Sequence, residues 1–216
     1  PTNPNKLGEM IKIGRRGSLT GRIKIIGEMC HVAYQHRGNN PSTTLVKILK
    51  EIKDLRFDKG NKHFQPTNLE VTKIYIDNNA DNVIPATAEA TFNIRFNNKH
   101  SSSSLKKKLN KIYYKICREN NSKYKIKYRV SGEAFLTKPN KTTFMIQNII
   151  KEVTKIKPKL STTGGTSDAR FIKSISPCLE FGLVGKTMHK ADEAVSLNDL
   201  KKLTKIYSLI LDNYFL

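Results

Sequence analysis

Six segments between residues 19 and 131 alternate between strand-like and helix-like patterns, and their order limits the possible folds more than any other feature. Strand-like segments are apolar runs or have apolar residues at every second position, whereas helix-like segments have them at every third or fourth. The segments are, in order, a strand at 22–26, a helix at 41–55, strands at 69–76 and 86–96, a helix at 105–116 and a strand at 124–130. This β-α-β-β-α-β order is typical of the ferredoxin-like fold, in which two helices pack on one face of a sheet.

The residues on either side of this block predict a second unit. Its elements are a strand at 10–13, helices at 142–156 and from 167, a strand at 179–184 and a last helix whose apolar stripe runs from 200 to 210. These strands are too few to close a stable sheet, so we expect further material upstream. The sequence therefore predicts an α/β protein in three segments, 1–18, 19–131 and 132–216.

The chain is strongly basic, with 39 lysine and arginine residues against 18 aspartate and glutamate residues and a net charge of +21. Taken alone, this charge suggests a nucleic acid or another anionic surface as the partner. The lysines are spread through nearly every segment, however, and no basic helix carries interleaved aromatic residues. We therefore expect no nucleic-acid partner, and we interpret the charge as an attraction for an anionic small-molecule substrate.

Cysteine usage and hydropathy indicate a cytoplasmic protein. Cys30, Cys117 and Cys178 are far apart and form neither a CxxC pair nor a zinc-finger spacing, so we expect three reduced thiols. No stretch approaches the roughly 18 apolar residues that a membrane span needs, and no secretory signal opens the chain, so we expect no membrane partner. The start Pro-Thr-Asn-Pro, without Met, is consistent with a processed product, a trimmed chain or a fragment.

His189 is a candidate metal ligand because it lies in a polar loop directly after the apolar run 179–184. Loops at the carboxyl ends of strands in open α/β sheets are where ligands bind, and Asp192 or Glu193 could orient the imidazole. A lone histidine in a loop is more often an ordinary surface residue, and this stretch alone leaves that alternative open.

Two glycine-containing turns are candidate anion sites. A Gly-Gly pair at 164–165 precedes a helix start predicted near Thr166, where free N–H groups would suit a carboxylate or an oxyanion. An ordinary turn is an equally good interpretation of this stretch. Arg15 and Arg16 lie between glycines and could hold a carboxylate through paired hydrogen bonds, or could form a solvated basic turn.

A loop with His31, Tyr34 and His36 could bind a metal or donate to an oxyanion, although a hydrogen-bonded structural loop explains the same residues. Asn82, which precedes an apolar turn, is a candidate for a polar contact and equally a turn-forming residue.

Six blocks of sequence occur in an order that is found in one enzyme family. They are IKIGRRGSLTG (11–21), HVAYQHRGNNP (31–41), NVIPATAEATFNIRF (82–96), SGEAFLT (131–137), LSTTGGTSDARF (160–171) and EFGLVGKTMHKADEAVS (180–196). Together they resemble the succinyl-diaminopimelate desuccinylase family, a group of zinc-dependent metallopeptidase-like enzymes, over essentially the whole chain. The double-arginine turn and the GGTSD loop distinguish this resemblance from acetylornithine deacetylase and the glutamate-releasing carboxypeptidases.

The resemblance implies the C-terminal part of a zinc-peptidase-like α/β catalytic domain with an inserted ferredoxin-like (βαββαβ) lid that also forms a homodimer. It implies hydrolysis of N-succinyl-LL-2,6-diaminopimelate to succinate and LL-2,6-diaminopimelate, a step in lysine and diaminopimelate biosynthesis. It further implies two zinc ions in each complete active site, with cobalt as a possible replacement.

Carried over residue by residue, the resemblance makes His189 the C-terminal zinc ligand. It makes His31 a catalytic lid residue that reaches the scissile carbonyl in the partner subunit, and Asn82 a second lid residue that crosses to that site. The matched positions that line the substrate pocket are Arg15, Tyr34, Arg95, Gly165 and Thr166. Gly185 stands where the family often has Asn, so one substrate contact is absent or supplied otherwise.

The family's other metal ligands and its general-base glutamate come earlier in the chain than these residues. We therefore expect residues 1–216 alone neither to bind two zinc ions nor to hydrolyse substrate, since one His cannot supply a two-metal site. Two alternatives stay open, namely another deacylase of the family, such as acetylornithine deacetylase, and a non-catalytic dimerisation fragment.

Overall fold

A computed structural model describes all residues from 1 to 216 and divides them into two compact units. The inserted unit is Arg16–Ala134, and the flanking unit combines Pro1–Arg15 with Phe135–Leu216. These limits lie slightly outside the predicted segment 19–131 because the first and last strands of the inserted unit are longer than the sequence indicated.

The chain forms ten strands, five α-helices and one 3-10 helix. The strands are β1 (Met10–Lys12), β2 (Gly14–Arg15), β3 (Gly17–Ile26), β4 (Cys30–His31), β5 (Asn68–Tyr75), β6 (Val83–Ile84), β7 (Thr87–Phe96), β8 (Lys123–Gly132), β9 (Phe135–Leu136) and β10 (Lys159–Ser161). The helices are α1 (Pro41–Lys53), α2 (Ser102–Glu119), α3 (Lys141–Thr154), α4 (Ala169–Ile172) and α5 (Leu197–Phe215), with a 3-10 helix at Val32–Arg37.

The inserted unit is a four-stranded antiparallel sheet in the order β5-β7-β3-β8. α1 and α2 pack on one face of this sheet and bury alternate residues of the strands, whereas the opposite face carries the polar residues. The predicted ferredoxin-like arrangement is therefore confirmed. Fully buried large side chains of this core are Leu19, Ile23, Ile25, Leu45, Ile48, Ile52, Phe92, Ile94, Phe96 and Tyr113.

Side chains at the helix starts fix where α1 and α2 begin. The Asn40 side chain accepts a hydrogen bond from the Ser42 N–H at 2.9 Å, and Pro41 occupies the first helical position, where it needs no N–H partner. Ser101 and Ser104 cap α2 reciprocally, because each hydroxyl accepts a hydrogen bond from the other residue's N–H.

The strand predicted at 22–26 begins five residues earlier, at Gly17. Gly17 and Gly21 obscured this extension, because glycine normally weakens a strand. Here the absence of a side chain is required by packing: a Cβ on Gly21 would lie 2.2 Å from the Phe92 ring, and one on Gly17 equally close to the Phe96 ring. The two glycines leave space for aromatic rings from the neighbouring strand.

The flanking unit is built around a short parallel pair, β1 with β10, whose register runs from Met10↔Lys159 to Lys12↔Ser161. β2 pairs with β9 in antiparallel fashion, and α3 packs against α5. The buried core residues are Leu7, Ile11, Ile13, Ile149, Ile150, Leu203 and Ile206.

Two predicted elements of the flanking unit were wrong, one in its type and the other in its length. The run 179–184 is not a strand, because it makes only isolated bridges, Lys12↔Glu180 and Asn3↔Val184, without a continuous ladder. The helix predicted from 167 is only the four-residue α4, and Pro177 closes the segment soon afterwards. No helix of the chain is long and apolar enough to cross a lipid bilayer.

Candidate functional site

An open concavity of about 650 Å³ in the flanking unit brings together several of the predicted site residues. Among the residues that line it are Arg15, Gly165, Thr166, Glu180 and His189. The concavity therefore combines a guanidinium, a carboxylate, an imidazole and a glycine-rich loop around one space.

Arg15 is buried, and two groups of the flanking unit hold its guanidinium. Its Nε donates to Glu180 Oε2 at 2.7 Å, and its Nη1 donates to the Thr163 carbonyl at 3.1 Å. Gly164 must be glycine here, because its φ is +103° and a Cβ would lie 2.6 Å from Arg15 Nη1. The remaining N–H groups of Arg15 are unpaired in the chain, so a carboxylate in the concavity could accept from them.

Lys12 is a buried cation that the sequence did not single out. Its Nζ donates to Thr163 Oγ1 at 2.9 Å, and its backbone pairs with Glu180 in both directions. Burial lowers the pKa of Lys12 to about 8, and the positive charge of Arg15 adds to this effect, while Glu180 opposes it. Arg15 lines the concavity and pairs with Glu180, whereas Lys12 lies beside the glycine-rich loop without lining the concavity, so the two cations have one nearby carboxylate between them.

His189 lies at the tip of a closed loop that begins at Gly185. The loop is tied by Thr187, whose hydroxyl donates to the Ala194 carbonyl at 2.9 Å and accepts from the Ala194 N–H at 3.0 Å. The His189 backbone has a φ of +63°, and its N–H donates to Glu193 Oε2 at 3.1 Å. The imidazole is exposed and makes no hydrogen bond within the chain, so its nitrogens are available to a metal ion.

The side chains of this chain do not fit a complete metal site. No group of three or more His, Cys, Asp or Glu side chains that could hold a metal ion comes together among residues 1–216. A zinc site needs at least three protein ligands, and although Asp168, Cys178, Glu180 and His189 all line the concavity, they do not come together as a group of three, and Arg15 already engages Glu180.

The hydrogen bonds of His31 select the tautomer of its imidazole. Nδ1 accepts from the Ala33 N–H at 3.1 Å and caps the 3-10 helix, so a neutral ring must carry its proton on Nε2. Nε2 lies 3.3 Å from Asn82 Nδ2, and because both nitrogens are donors in this tautomer the contact is not a hydrogen bond, while the backbone carbonyl of Asn82 accepts from the Val32 N–H at 2.9 Å. His31 therefore presents an N–H donor outward, at the end of the inserted unit where β4 pairs with β6.

Aromatic contacts stiffen this end of the inserted unit. The Tyr34 ring lies 5.9 Å from the His31 ring and 6.3 Å from the His36 ring, measured between centroids. The Arg37 guanidinium lies 4.9 Å from the centroid of the Tyr34 ring. All four side chains are exposed, and none has a carboxylate partner.

Arg95 lies at the opposite end of the sheet, on its polar face. In the register of β7 it stands between Ser18 and Asn68. The neighbouring Arg16 donates to Asn68 Oδ1 at 2.8 Å, its Nε makes no hydrogen bond, and neither arginine forms an ion pair. Burial lowers the pKa of Arg16, and the positive charge of Arg95 lowers it further. Arg16 and Arg95 are therefore two neighbouring positive charges without a counter-ion.

The two adjacent arginines of the sequence thus belong to different units, Arg15 to the flanking and Arg16 to the inserted one. The sequence indicated Arg16, together with Arg15, as a candidate carboxylate clamp, whereas Lys12 was missed, and the one available signal for it was its place in the short basic segment 12–16.

Sequence comparison connects this arrangement to known proteins. The peptidase dimerisation domain family (M20) matches residues 13–121. The chain is 75% identical over 215 residues to a succinyl-diaminopimelate desuccinylase of Pelagibacter ubique. This match covers all of this chain and 56% of that protein. It is 47% identical over 215 residues to a protein of the same name from Parvibaculum lavamentivorans, covering 54% of it. The chain therefore spans a little over half the length of the curated relatives it matches.

Solved structures show the same fold at low sequence identity. An aminopeptidase PepT from Bacillus cereus superimposes with a TM-score of 0.82 at 16% identity, over 97% of this chain and 55% of that one. An M20 family metallo-carboxypeptidase, Sso-CP2 from Sulfolobus solfataricus, gives a TM-score of 0.71 at 15% identity, over 97% of this chain and 61% of that one.

Proposed function

Because this chain belongs to the peptidase dimerisation domain (M20) family, we propose that it forms part of a metal-dependent hydrolase that cleaves N-succinyl-LL-2,6-diaminopimelate to succinate and LL-2,6-diaminopimelate. The observation that carries this proposal is the 75% identity over the whole chain to a relative named for that activity. The reaction would belong to lysine and diaminopimelate biosynthesis in the cytoplasm, in keeping with the three unpaired cysteines.

The separation of two candidate groups within the inserted unit supports an active site shared between subunits. His31 and Asn82 lie at the end where β7 starts, whereas Arg95 is eight residues further along that strand, about 26 Å away at about 3.3 Å per residue. One small substrate cannot contact both ends of the same sheet. If both His31 and Arg95 contact substrate, they therefore come from different copies of the chain.

The edges of the sheet favour β5 as the contact between copies. β8 carries Lys123, Lys125, Lys127 and Arg129 along its length, and lysines on an edge strand discourage further pairing. β5 ends instead in exposed Ile74 and Tyr75, followed by exposed Ile76. We assign the homodimer contact to β5 for this reason.

A two-fold axis through such a contact would run the two β5 strands antiparallel. The Tyr75 end of one copy would then lie beside the Asn68 end of the other. The 3-10 helix and Asn82, which belong to the Tyr75 end, would thereby approach the partner's Arg16 and Arg95. Pairing through β5 and the shared site are thus mutually consistent.

The chemistry follows from the groups in the concavity and at the end of the sheet. His31 Nε2–H of the partner subunit would donate to the carbonyl oxygen of the scissile amide as that oxygen gains negative charge. Arg15 or Arg95 would hold a substrate carboxylate, because Arg15 keeps N–H groups without a partner in the chain and Arg95 forms no ion pair. Tyr34, Asn82, Gly165 and Thr166 would line the substrate.

His189 would supply one metal ligand, and the other ligands must come from residues outside this chain. A metal ion bound there would polarise the amide and activate water, and zinc, with cobalt as an alternative, is the metal we propose. We propose that residues 1–216 alone do not hydrolyse the substrate.

A chimera tests this function directly. The 215 matched residues of the Pelagibacter ubique relative are replaced by this chain, and succinate release from N-succinyl-LL-2,6-diaminopimelate is compared with acetate release from N-acetylornithine. We expect hydrolysis of the succinyl substrate and little of the acetyl one. A preference for the acetyl substrate would favour the other deacylases, and no activity on either would contradict the proposal.

A matched pair of variants tests the role of His31 in the same chimera. His31→Ala should lower kcat about 100- to 1000-fold with a small change in KM, because the donor acts on the transition state. His36→Ala, five residues away in the same exposed loop, should leave kcat within about twofold. Equal losses for both variants would mean that the loop is structural.

A further inference from the structure

Lys12 is the one lysine of this chain that the fold buries, with 5% of its surface exposed. Its Nζ donates to Thr163 Oγ1 at 2.9 Å and lies 2.7 Å from Met10 Sδ, and it forms no ion pair with a carboxylate. Burying a charge without an opposite charge costs free energy, and the lowered pKa of Lys12 reflects that cost. A methionine would fill a similar space without it, so stability alone does not explain the ammonium group.

The Lys12 side chain is bound to the residue that precedes the glycine pair of the site. Thr163 is followed by Gly164 and by Gly165, which lines the concavity. Within the loop, the Thr163 N–H donates to Ser161 Oγ at 3.1 Å, and the two hydroxyl oxygens are 2.9 Å apart. The bond from Lys12 joins this local cluster to β1, which is 151 residues earlier in the sequence. Lys12 therefore fixes the start of the glycine-rich loop relative to the short parallel sheet.

Both groups that hold the Arg15 guanidinium are also bound by Lys12. Arg15 donates to the Thr163 carbonyl and to the Glu180 carboxylate. Lys12 binds Thr163 through its side chain, and its backbone N–H and carbonyl each form a 2.9 Å hydrogen bond with the backbone of Glu180. The four residues form a closed ring of contacts, so the orientation of the guanidinium depends on two positions that Lys12 fixes.

We propose that Lys12 is a positioning residue, which holds Thr163 so that the Arg15 guanidinium and the glycine-rich loop keep the geometry that receives a carboxylate of the substrate. The inference rests on the proposed function, because it assigns Arg15 to a substrate carboxylate. Lys12 does not line the concavity, so it acts through Thr163 and not by contact with substrate. Paired hydrogen bonds from a guanidinium to a carboxylate require a defined orientation, which a supporting contact of this kind provides.

A substitution in the chimera described above tests this role through the separation of KM from kcat. Lys12→Met should raise KM for the succinyl substrate about 10-fold and leave kcat within about twofold, because the carboxylate contact is made in the ground state and the transition state alike. Lys159→Met changes an exposed lysine on β10, the partner strand of β1, and should leave both constants within about twofold. The urea midpoint of Lys12→Met at pH 7 should not fall, because the substitution removes a buried charge.

A double variant tests whether Lys12 acts through Thr163. Thr163→Val removes the acceptor at nearly constant shape and should also raise KM. Combining it with Lys12→Met should raise KM no further than the larger single effect, because both substitutions break the same contact. Multiplication of the two effects would mean that Lys12 acts on substrate binding by another route.

Hydrogen exchange at the Thr163 amide provides a readout that needs no hydrolysis. In this chain, the bond from Lys12 keeps Thr163 beside Ser161, which accepts from that amide. Lys12→Met should therefore speed the exchange of the Thr163 amide at least about threefold, whereas Lys159→Met should leave it unchanged. An inactive unaltered chimera would contradict the proposed function, and the exchange measurement would then decide the role of Lys12 by itself.

Any of three further results would overturn the inference. The first is an unchanged KM in an active Lys12→Met chimera. The second is unchanged exchange at the Thr163 amide in Lys12→Met, which would mean that Lys12 does not hold the loop. The third is a rise in KM accompanied by a lower urea midpoint, which would make Lys12 a residue of general stability and not of positioning.

Discussion

The inserted and flanking units bury their apolar residues to different degrees. In the inserted unit both helices and the four strands of the sheet place most of their apolar residues in one core, and Ile74 and Tyr75 at the end of β5 stay exposed. In the flanking unit the sheet has two short parallel strands, and the longest helix leaves a row of large apolar side chains exposed. The first unit is complete by itself, whereas the second has the form of one part of a larger α/β layer.

The same difference separates the functional groups. The inserted unit holds His31 in one tautomer through its own backbone, and it needs no further chain to do so. The flanking unit gathers Arg15, Glu180 and His189 around a concavity but does not supply enough ligands for a metal. We therefore expect the inserted unit to keep its functional groups in place without other chain segments. The functional groups of the flanking unit should depend on such segments.

Truncation of apolar side chains should expose the difference most strongly. Phe92→Ala removes a fully buried ring from the inserted core and should lower the free energy of unfolding by about 3–5 kcal/mol. Tyr214→Ala on the exposed face of α5 should change it by less than about 0.5 kcal/mol in this chain alone. Urea unfolding followed by circular dichroism measures both, and a large loss for Tyr214→Ala would mean that α5 is already covered.

High pH should strengthen the flanking unit through Lys12. The folded-state pKa of about 8 lies below the ordinary lysine value of 10.5. Between these two values the unfolded chain binds one proton more than the folded chain, so stability rises with pH, by about 3 kcal/mol in total. Lys12→Met should abolish this rise. Urea midpoints from pH 7 to 10.5 test it, and parallel curves for the two proteins would contradict the burial of a charged Lys12.

A side chain at Gly21 should disturb the inserted unit through one defined clash. Gly21→Ala places a Cβ at 2.2 Å from the Phe92 ring and should lower the free energy of unfolding by about 1–3 kcal/mol. Gly165→Ala is the matched change in the flanking unit, where no atom lies within 4 Å of the new Cβ, and it should be nearly neutral. Equal effects on the urea midpoint would argue against the close packing of β3 on β7.

Low pH should weaken the inserted unit through Asp58. Burial alone would raise its pKa, but hydrogen bonds from Thr67, Gly60 and Asn97 outweigh burial and lower the pKa to about 2. The stabilisation is complete above the ordinary value of 3.8 and is lost as pH falls towards 2, by about 2 kcal/mol. Asp58→Asn should flatten this part of the pH profile, whereas Asp54→Asn on the exposed end of α1 should not.

Local patterns predicted the inserted unit well, because each strand and helix carries its own hydrophobic period and caps. The long alternation of β7 and the Asn40-Pro41 start of α1 are visible without any knowledge of distant residues. The early start of β3 was not visible, because Gly17 and Gly21 are explained only by phenylalanines that are more than 70 residues away.

The candidate site could be predicted only in part, again because some of its residues depend on contacts with residues that are distant in the sequence. Arg15, Gly165, Thr166 and His189 were found through loop motifs and a family resemblance, and they line one concavity. Lys12 was missed because its burial depends on Thr163, which is 151 residues away in the sequence. The run 179–184 resembled a strand because it is apolar, but a strand also requires ladder partners, which an apolar pattern does not encode.

Sharing of the active site between two copies is the central claim, and mixed dimers of the chimera test it most directly. His31→Ala and His189→Ala chimeras, each inactive alone, are unfolded together and refolded at equal concentrations. Half of the dimers should then be mixed and should contain one intact site, so activity should recover to about a quarter of that of the unmodified chimera. A mixture that stays as inactive as its components would show that His31 and His189 act within the same subunit and would contradict the account.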